Sequence, residues 1–383
     1  MAEIMTCQGQ VNSRQTDREK TLVRQPDQTH VHMRIPLTIT LAATAALLVP
    51  QPAQAVPVPV DGYVWGNQPG SPDYFVATGY EHNSSGGAIR ITRLGVGSYK
   101  VRFYGMAGAG GVAHASAYGG AFHCPVVSYG PSGADQLVYV RCYTPDAMPV
   151  DSRFVASFTN RPAAGSFGYL WSDDATPPPG GHVPAAAWSY DSTGQQIVVY
   201  QPAVGVYQVE LGAYRQDTPN LWASGVLRVT AYGAAARECQ VWDPEFAIDP
   251  TMIEVHCYDD NGLAVDTRFT LTYARKVTML GLPDPRASAT LDTFTPAFEG
   301  WTNTAGGAPT FSIIDDGSYQ IDFPNAGVPK GHAMATTLGT PPMFCIIESW
   351  WSTPGWEHLW ITCHDGDNGD LNPVGLFNVG FIA

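Results

Sequence analysis

The residues with the most distinctive chemistry lie near the carboxyl end, where residues 345–363 read CIIESWWSTPGWEHLWITC. This segment holds four of the ten tryptophans, enclosed between two cysteines. Exposed indoles stack on the C–H faces of sugar rings, and a rigid loop loses little entropy when it binds. Neighbouring carboxylates and an imidazole add hydrogen-bonding groups. The predicted ligand-binding residues are Trp350, Trp351, Trp356, Trp360, Glu348, Glu357 and His358.

Acidic residues follow directly, in the sequence HDGDNGD at positions 364–370. Carboxylates with this spacing could bind calcium, and the two glycines allow a tight bend. The order differs from an EF-hand loop, because Leu376 stands where the closing glutamate would be. Two interpretations stay open: an ordinary turn, or a calcium site formed by Asp365, Asp367 and Asp370. The sequence suggests no cofactor besides this calcium ion.

Catalytic motifs are absent from the sequence. It contains no Gly-x-Ser-x-Gly, no His-Glu-x-x-His and no phosphate-binding loop. We therefore predict that the protein is not an enzyme. The alternative is a secreted hydrolase, or an inhibitor of one, in which Glu348 and Glu357 would be a carboxylate pair.

The cysteines define the framework that must position these residues. Six of the seven form three pairs whose partners are 18 positions apart, whereas Cys7 lies near the amino terminus. Six cysteines allow 15 pairings, but the repeated spacing favours three local disulfides, as in exported proteins. Each would stabilise the fold by about 3 kcal/mol through the unfolded chain. The predicted disulfides are Cys124–Cys142, Cys239–Cys257 and Cys345–Cys363.

The cysteine spacing reveals an internal repeat. Each pair follows a Gly-x-Tyr strand, namely GSYKVRF, GVYQVEL or GSYQIDF, and then a strand GVAHASAYG, GVLRVTAYG or GHAMATTLG. Apolar residues alternate with polar ones, which predicts half-buried β-strands. A last strand reads VDSRFVASF or VDTRFTLTY in the first two copies, and the third copy diverges here, as NPVGLFNVGFIA. In the first two copies Asp151 with Arg153, and Asp266 with Arg268, predict a structural ion pair or a turn cap.

This pattern predicts an all-β fold of three tandem modules, each a β-sandwich or jelly roll with one local disulfide. The predicted bounds are 56–160 for module 1, 161–277 for module 2 and 278–383 for the divergent, tryptophan-rich module 3. The repeat also indicates whether the tryptophans belong to the core. Trp356 aligns with Asp135 of module 1, and Trp360 aligns with Glu254 of module 2. A position that holds a charged residue in another copy is expected to face solvent. Packing of the rings against each other or against a neighbouring module is the alternative.

The first 55 residues are predicted to be an extension and a secretory signal peptide. Met33–Ala55 combines a positive start, an apolar run and the small-residue site AQA, with cleavage after Ala55. The apolar run is too short for a membrane span. We expect translation to start at Met33 and the mature protein to be secreted, with no membrane span.

The repeated elements quoted above resemble tandem β-modules of secreted bacterial proteins that have no characterised activity. The resemblance covers nearly all of the predicted mature chain. It implies a secreted repeat protein and no particular substrate.

Composition restricts the class of partner. The chain has 383 residues and a net charge of −14, and we find no cluster of Lys and Arg along the sequence. Nucleic acids are therefore not expected as partners, because phosphate binding needs clustered cations. The predicted function is extracellular binding, with polysaccharide or cell wall as the partner of module 3. A structural surface or matrix protein, associating through its tryptophans, is the alternative, and the sequence does not predict the oligomeric state.

Overall fold

The computed structural model describes residues 59–163, 165–216, 225–242, 251–282, 286–339, 342–373 and 375–382. These ranges belong to one compact unit, Ala55–Ala383. The predicted signal peptide and the extension before it lie outside the described residues. Within the described ranges, no helix has the length and apolar character needed to cross a membrane.

The predicted all-β fold is confirmed, and we keep the predicted bounds as names for the three modules. Module 1 contains β1 (Asp61–Gly66), β2 (Asp73–Phe75), β3 (Glu81–Asn83), β4 (Ile89–Gly95), β5 (Ser98–Phe103), β6 (Val112–Ala117), β7 (Val126–Ser132), β8 (Asp135–Arg141) and β9 (Phe154–Thr159). Module 2 contains β10 (Ser166–Ser172), β11 (Ser189–Asp191), β12 (Val198–Ala203), β13 (Val206–Glu210), β14 (Val226–Tyr232), β15 (Arg237–Val241), β16 (Ile253–Asp259) and β17 (Arg268–Arg275), with a 3-10 turn (Ala186–Trp188) and the short helix α1 (Gly212–Arg215). Module 3 contains β18 (Arg286–Asp292), β19 (Ala297–Asn303), β20 (Thr310–Asp315), β21 (Ser318–Pro324), β22 (His332–Leu338), β23 (Met343–Thr353), β24 (Trp356–Asp365) and β25 (Leu376–Ile382).

Each module consists of two antiparallel layers. The first layers are β3-β1-β9-β6, β11-β10-β17-β14 and β19-β18-β25-β22, and the second layers are β2-β4-β5-β8-β7, β12-β13-β16-β15 and β20-β21-β24-β23. The Gly-x-Tyr strands β5, β13 and β21 lie in the second layers, and their apolar faces are buried in the core. In module 1, for example, Val101 and Phe103 pack in one cluster with Phe154 and Phe158 of the opposite layer.

The three predicted disulfides are present. The Cys239–Cys257 and Cys345–Cys363 bonds connect directly opposed residues of neighbouring strands, with Cα atoms 4.1 and 4.0 Å apart. Cys124–Cys142 has the same separation, 4.1 Å. Each therefore fixes one strand pair within the second layer of its own module.

The modules are joined through their main chains in a closed cycle. The β14 strand of module 2 pairs in parallel with β7 of module 1, and β15 of module 2 pairs with β22 of module 3. A third parallel bridge joins Tyr118 of module 1 to Ile347 of module 3. In the three links, Gly119, Gly233 and Gly339 donate backbone hydrogen bonds of 3.1, 2.9 and 3.2 Å to the carbonyls of Ile347, Val126 and Val241, respectively. Each acceptor lies two residues after the first cysteine of its module, so the ring has approximate threefold symmetry.

Equivalent residues of β6, β14 and β22 pack across the module interfaces near the centre of this ring. His114 Nε2 lies 2.8 Å from Thr272 Oγ1 of module 2, and its burial lowers its pKa to about 3. Arg228 donates to Thr336 Oγ1 at 2.8 Å and to the carbonyls of Met334 and Asn378 in module 3. These buried polar contacts hold the second module between the first and the third.

Arg228→Ala should lower the free energy of unfolding by about 3 kcal/mol, because it leaves a cavity and several unpaired acceptors. Chemical denaturation of the mature chain measures this difference. Arg215→Ala is the control, since its exposed ion pair with Glu210 should contribute less than about 1 kcal/mol. Equal stability of the two variants would mean that the central contacts do not hold the ring together.

Candidate functional site

The second layer of module 3 has an outward face rich in aromatic and polar side chains. The β21–β24 register places Gln320 opposite Trp360 and Asp322 opposite His358. On the other side of β24, Trp351 of β23 lies opposite His358. Alternate residues Leu359 and Ile361 are fully buried, so their neighbours on β24 point outward. We call this surface the tryptophan face; its residues are Trp351, Trp356, Trp360, His358, Asp322 and Gln320.

The tryptophan face combines exposed rings with fixed positions. Trp351 and Trp356 are 39% and 38% exposed, whereas Trp360 is half-buried and donates from Nε1 to Ser318 Oγ at 2.8 Å. Trp356 and Trp360 are four residues apart on one strand, which corresponds to about 13 Å. Three indoles are therefore spread over a surface that could contact several units of a chain-like ligand.

A hydrogen-bonded chain supports the centre of this face. His358 Nδ1 lies 2.5 Å from Asp322 Oδ1, and His358 Nε2 lies 2.8 Å from Thr353 Oγ1. Gln320 donates to the same Asp322 oxygen at 2.8 Å. The imidazole also stacks on Trp351, with ring centroids 5.1 Å apart. Sequence reasoning missed Asp322 and Gln320, although both lie on the polar side of the alternating Gly-x-Tyr strand.

Trp350 and Glu348 lie away from this face, at the link between modules 3 and 1. Trp350 is 8% exposed and packs on Tyr118 and Trp65, with ring centroids 4.9 and 5.7 Å away. Glu348 Oε2 accepts a hydrogen bond of 3.0 Å from the backbone N–H of Gly120. Trp350 therefore packs against a neighbouring module, which was the alternative to an exposed surface for the four rings.

Glu357 points to the interior of module 3 and is fully buried. It is hydrogen-bonded to Ser352 Oγ at 2.5 Å, and burial raises its pKa to about 7. Glu357 lies opposite Ser352, whereas Glu348 lies at a bulge near Trp360. The two carboxylates considered as a pair therefore have separate partners in separate places.

The acidic turn after Cys363 is closed by its own hydrogen bonds. The backbone N–H of Asp365 donates to the carbonyl of Asp370 at 2.9 Å, and Asn372 donates to Asp365 Oδ1 at 2.5 Å. In the part of the chain that the structure describes, no three His, Cys, Asp or Glu side chains are placed together to hold a metal. The turn interpretation accounts for these contacts, and calcium binding by Asp365, Asp367 and Asp370 stays a prediction.

The modules also line a partly open cavity where their linking strands meet, near the approximate threefold axis. Its volume is about 80 Å³, enough for several water molecules. The lining includes the residues directly before the first cysteine of each module: His123, Glu238 and Phe344. His123 Nδ1 lies 3.5 Å from Glu238 Oε2, and the two side chains are only 10% and 13% exposed. Burial raises the pKa of Glu238 to about 8 and lowers that of His123 to about 4.

Comparison with protein-family models, with curated proteins and with solved structures gives no match to this chain. The three modules can instead be compared with one another, since they share strand order and cysteine positions. Positions that are equivalent in the fold but differ in chemistry then indicate where the modules differ in function.

The raised pKa of Glu238 should make stability depend on pH up to about 8, most clearly above about 6.5, where His123 is neutral in both the folded and the unfolded protein and no longer opposes the effect. In this range the folded protein keeps a proton on Glu238 that the unfolded chain has released, so stability falls as pH rises. Glu238→Gln should reduce this fall, measured as the melting temperature from pH 6 to 8.5. Glu299→Gln, at an exposed position, should behave as wild type; a wild-type slope in Glu238→Gln would contradict the assignment.

The two adjacent tryptophans should differ in their effect on stability. Trp350→Ala should lower the free energy of unfolding by about 3 kcal/mol, because it empties an aromatic contact between modules. Trp351→Ala should lower it by less than about 1 kcal/mol, since the ring is partly exposed. Urea denaturation of both variants measures these two losses of stability. A larger loss for Trp351→Ala than for Trp350→Ala would contradict the placement of Trp350 at the module interface.

Proposed function

We propose that this is a secreted, non-enzymatic binding protein that holds a carbohydrate or a cell-wall polysaccharide on the tryptophan face of module 3. The observation that carries the proposal is the placement of three indoles on one outward sheet face, next to hydrogen-bonding His358, Asp322 and Gln320. Aromatic rings supply stacking area at little entropic cost, and the polar groups can bind hydroxyls.

The comparison between modules supports this proposal. Position 360 is tryptophan in module 3, whereas the equivalent residues are Tyr139 in module 1 and Glu254 in module 2. Trp356 corresponds to Asp135 of module 1. Because the same strands form with these other residues, the fold does not require indoles at these positions.

Secretion is part of the proposal and has two supports. One is the predicted signal peptide, and the other is the set of three disulfides, which hints at an oxidising environment. The alternative function is that of a structural surface or matrix protein, in which the exposed Trp351 and Trp356 contact another copy of the chain. Self-association of the chain is therefore measured together with polysaccharide binding.

The test is a pull-down of the mature chain, Val56–Ala383, with insoluble polysaccharides and bacterial cell walls. Trp356→Ala/Trp360→Ala should lose binding by about tenfold or more, which corresponds to about 1.4 kcal/mol, with little change in melting temperature. The matched control is Trp301→Ala, a ring 41% exposed on β19, which should bind as wild type.

Two results of this experiment would contradict the proposal. One is wild-type protein that binds none of the polysaccharides or walls. The other is equal loss of binding in the Trp301→Ala control. If sedimentation shows concentration-dependent assembly that Trp356→Ala/Trp360→Ala removes, the structural alternative takes its place.

A hydrolase remains the second candidate because of one observation. Thr353, His358 and Asp322 have the order hydroxyl, imidazole and carboxylate that activates a nucleophile. Incubation of the protein with acetylated and unmodified polysaccharides, followed by assay of released acetate and reducing ends, tests this candidate. Turnover that Thr353→Ala removes would favour it over binding alone.

A further inference from the structure

The outward face of the second layer of module 1 is the counterpart of the tryptophan face and has a different chemistry. Strands β4, β5 and β8 bury Ile91, Val101 and Val138, so the alternate residues point outward. The register places Lys100 opposite Tyr139 and Arg90 opposite Arg102. Arg141 of β8 lies opposite Ser98 of β5. We call this surface the basic face; its cations are Arg90, Lys100, Arg102 and Arg141.

Among the described residues, two of these four cations have a carboxylate within 4 Å and two do not. Arg90 Nε donates to both oxygens of Asp73 at 2.8 Å, and Arg102 Nε lies 3.0 Å from Asp135 Oδ2. For Lys100 and Arg141, the described residues provide no carboxylate within ion-pair distance. Four positive and two negative charges leave an excess of two positive charges on one face of a chain whose net charge is −14.

Aromatic rings hold the guanidinium groups of the basic face in place. Arg90 lies over Phe75, Arg102 over Tyr104 and Arg141 over Tyr143, with distances to the ring centroids of 5.7, 5.4 and 5.3 Å. The nearby guanidinium groups of Arg90 and Arg102 lower the pKa of Tyr104. A guanidinium held over a ring can still present N–H groups to a carboxylate or a sulfate.

The positions equivalent to Lys100 and Arg102 are not basic in the other modules. Gln208 and Gln320 correspond to Lys100, and Glu210 and Asp322 correspond to Arg102. The same Gly-x-Tyr strand therefore folds with neutral or acidic residues at these positions. Lys100 and Arg102 are therefore specific to module 1 and are not needed for the strand itself.

We propose that the basic face of module 1 binds an acidic polysaccharide, one that carries carboxylate or sulfate groups. Lys100 and Arg141 bind the anionic groups, while the aromatic side chains Tyr139 and Phe75 contact the sugar rings. Phe75 is 58% exposed, which suits such a contact. Nucleic acid fits less well, because binding of the phosphate backbone relies on a larger cluster of cations, and two cations of this face lack a carboxylate partner among the described residues. This binding does not depend on the tryptophan face.

The test measures binding of the mature chain to polygalacturonate and to dextran sulfate at about 50 mM salt. Neutral dextran and single-stranded DNA serve as comparison ligands. Lys100→Glu/Arg141→Glu should weaken binding to the acidic polysaccharides by tenfold or more and make the remaining binding less sensitive to salt. The matched control is Arg215→Glu/Lys276→Glu, which makes the same change in net charge at exposed positions of module 2 and should weaken binding by less than twofold.

Melting temperatures show whether each variant is folded, and Lys100→Gln/Arg141→Gln is the milder substitution if charge reversal prevents folding. The inference is overturned if wild type binds neither acidic polysaccharide, if the control loses as much affinity, or if DNA binds as tightly through the same residues. Trp356→Ala/Trp360→Ala should retain acidic polysaccharide binding. Failure of the tryptophan proposal and failure of this inference are therefore separate outcomes.

Discussion

The backbone link between modules is the interaction on which the rest of the structure depends. In every module one residue, Tyr118, Tyr232 or Leu338, pairs in parallel with a neighbouring module, at the residue two positions after the first cysteine of that neighbour. Each link covers strand edges that would otherwise expose unpaired N–H and C=O groups. Because the third link returns to the first module, the ring closes. The buried contacts of Arg228 and the axial cavity lie where the linked modules meet.

The recurring Val-Asp-Ser/Thr-Arg-Phe motif supports the same links. The ion-pair interpretation would require the aspartate and the arginine of this motif to pair with each other, and they do not. Asp151 accepts from the backbone N–H of Gly97 at 2.9 Å, and Asp266 from that of Gly205 at 2.8 Å, so both cap a turn. The arginines lie over the tyrosines that form the links. The guanidinium carbon of Arg153 is 5.1 Å from the ring centroid of Tyr118, and that of Arg268 is 5.2 Å from the ring centroid of Tyr232. Module 3 has Leu338 instead of a tyrosine, so an arginine there would have no ring to cover.

The three outward faces share one backbone and differ in chemistry. Module 1 presents cations and tyrosines, module 3 presents indoles, and module 2 has Glu210, Glu254 and His256 at the corresponding positions. The inward faces keep tyrosine and aliphatic residues in all three modules, since the core must be filled. A duplicated module in a closed ring can therefore change its surface without disturbing the links.

The sequence alone determined the local structure of this protein. Strict alternation identified the strands, because side chains alternate between the faces of a sheet, and equal cysteine spacing identified the disulfides. The indoles at positions 356 and 360 were predicted to be outside the core from their charged counterparts in other modules. Only the tertiary structure separated Trp350 from Trp351, because a bulge and a module interface decide which ring is buried. It also brought Arg90 and Arg141 onto the same face as Lys100 and Arg102, which alternation along the Gly-x-Tyr strand already places together. Cross-strand neighbours are distant along the chain, and no local pattern encodes which strands or modules meet.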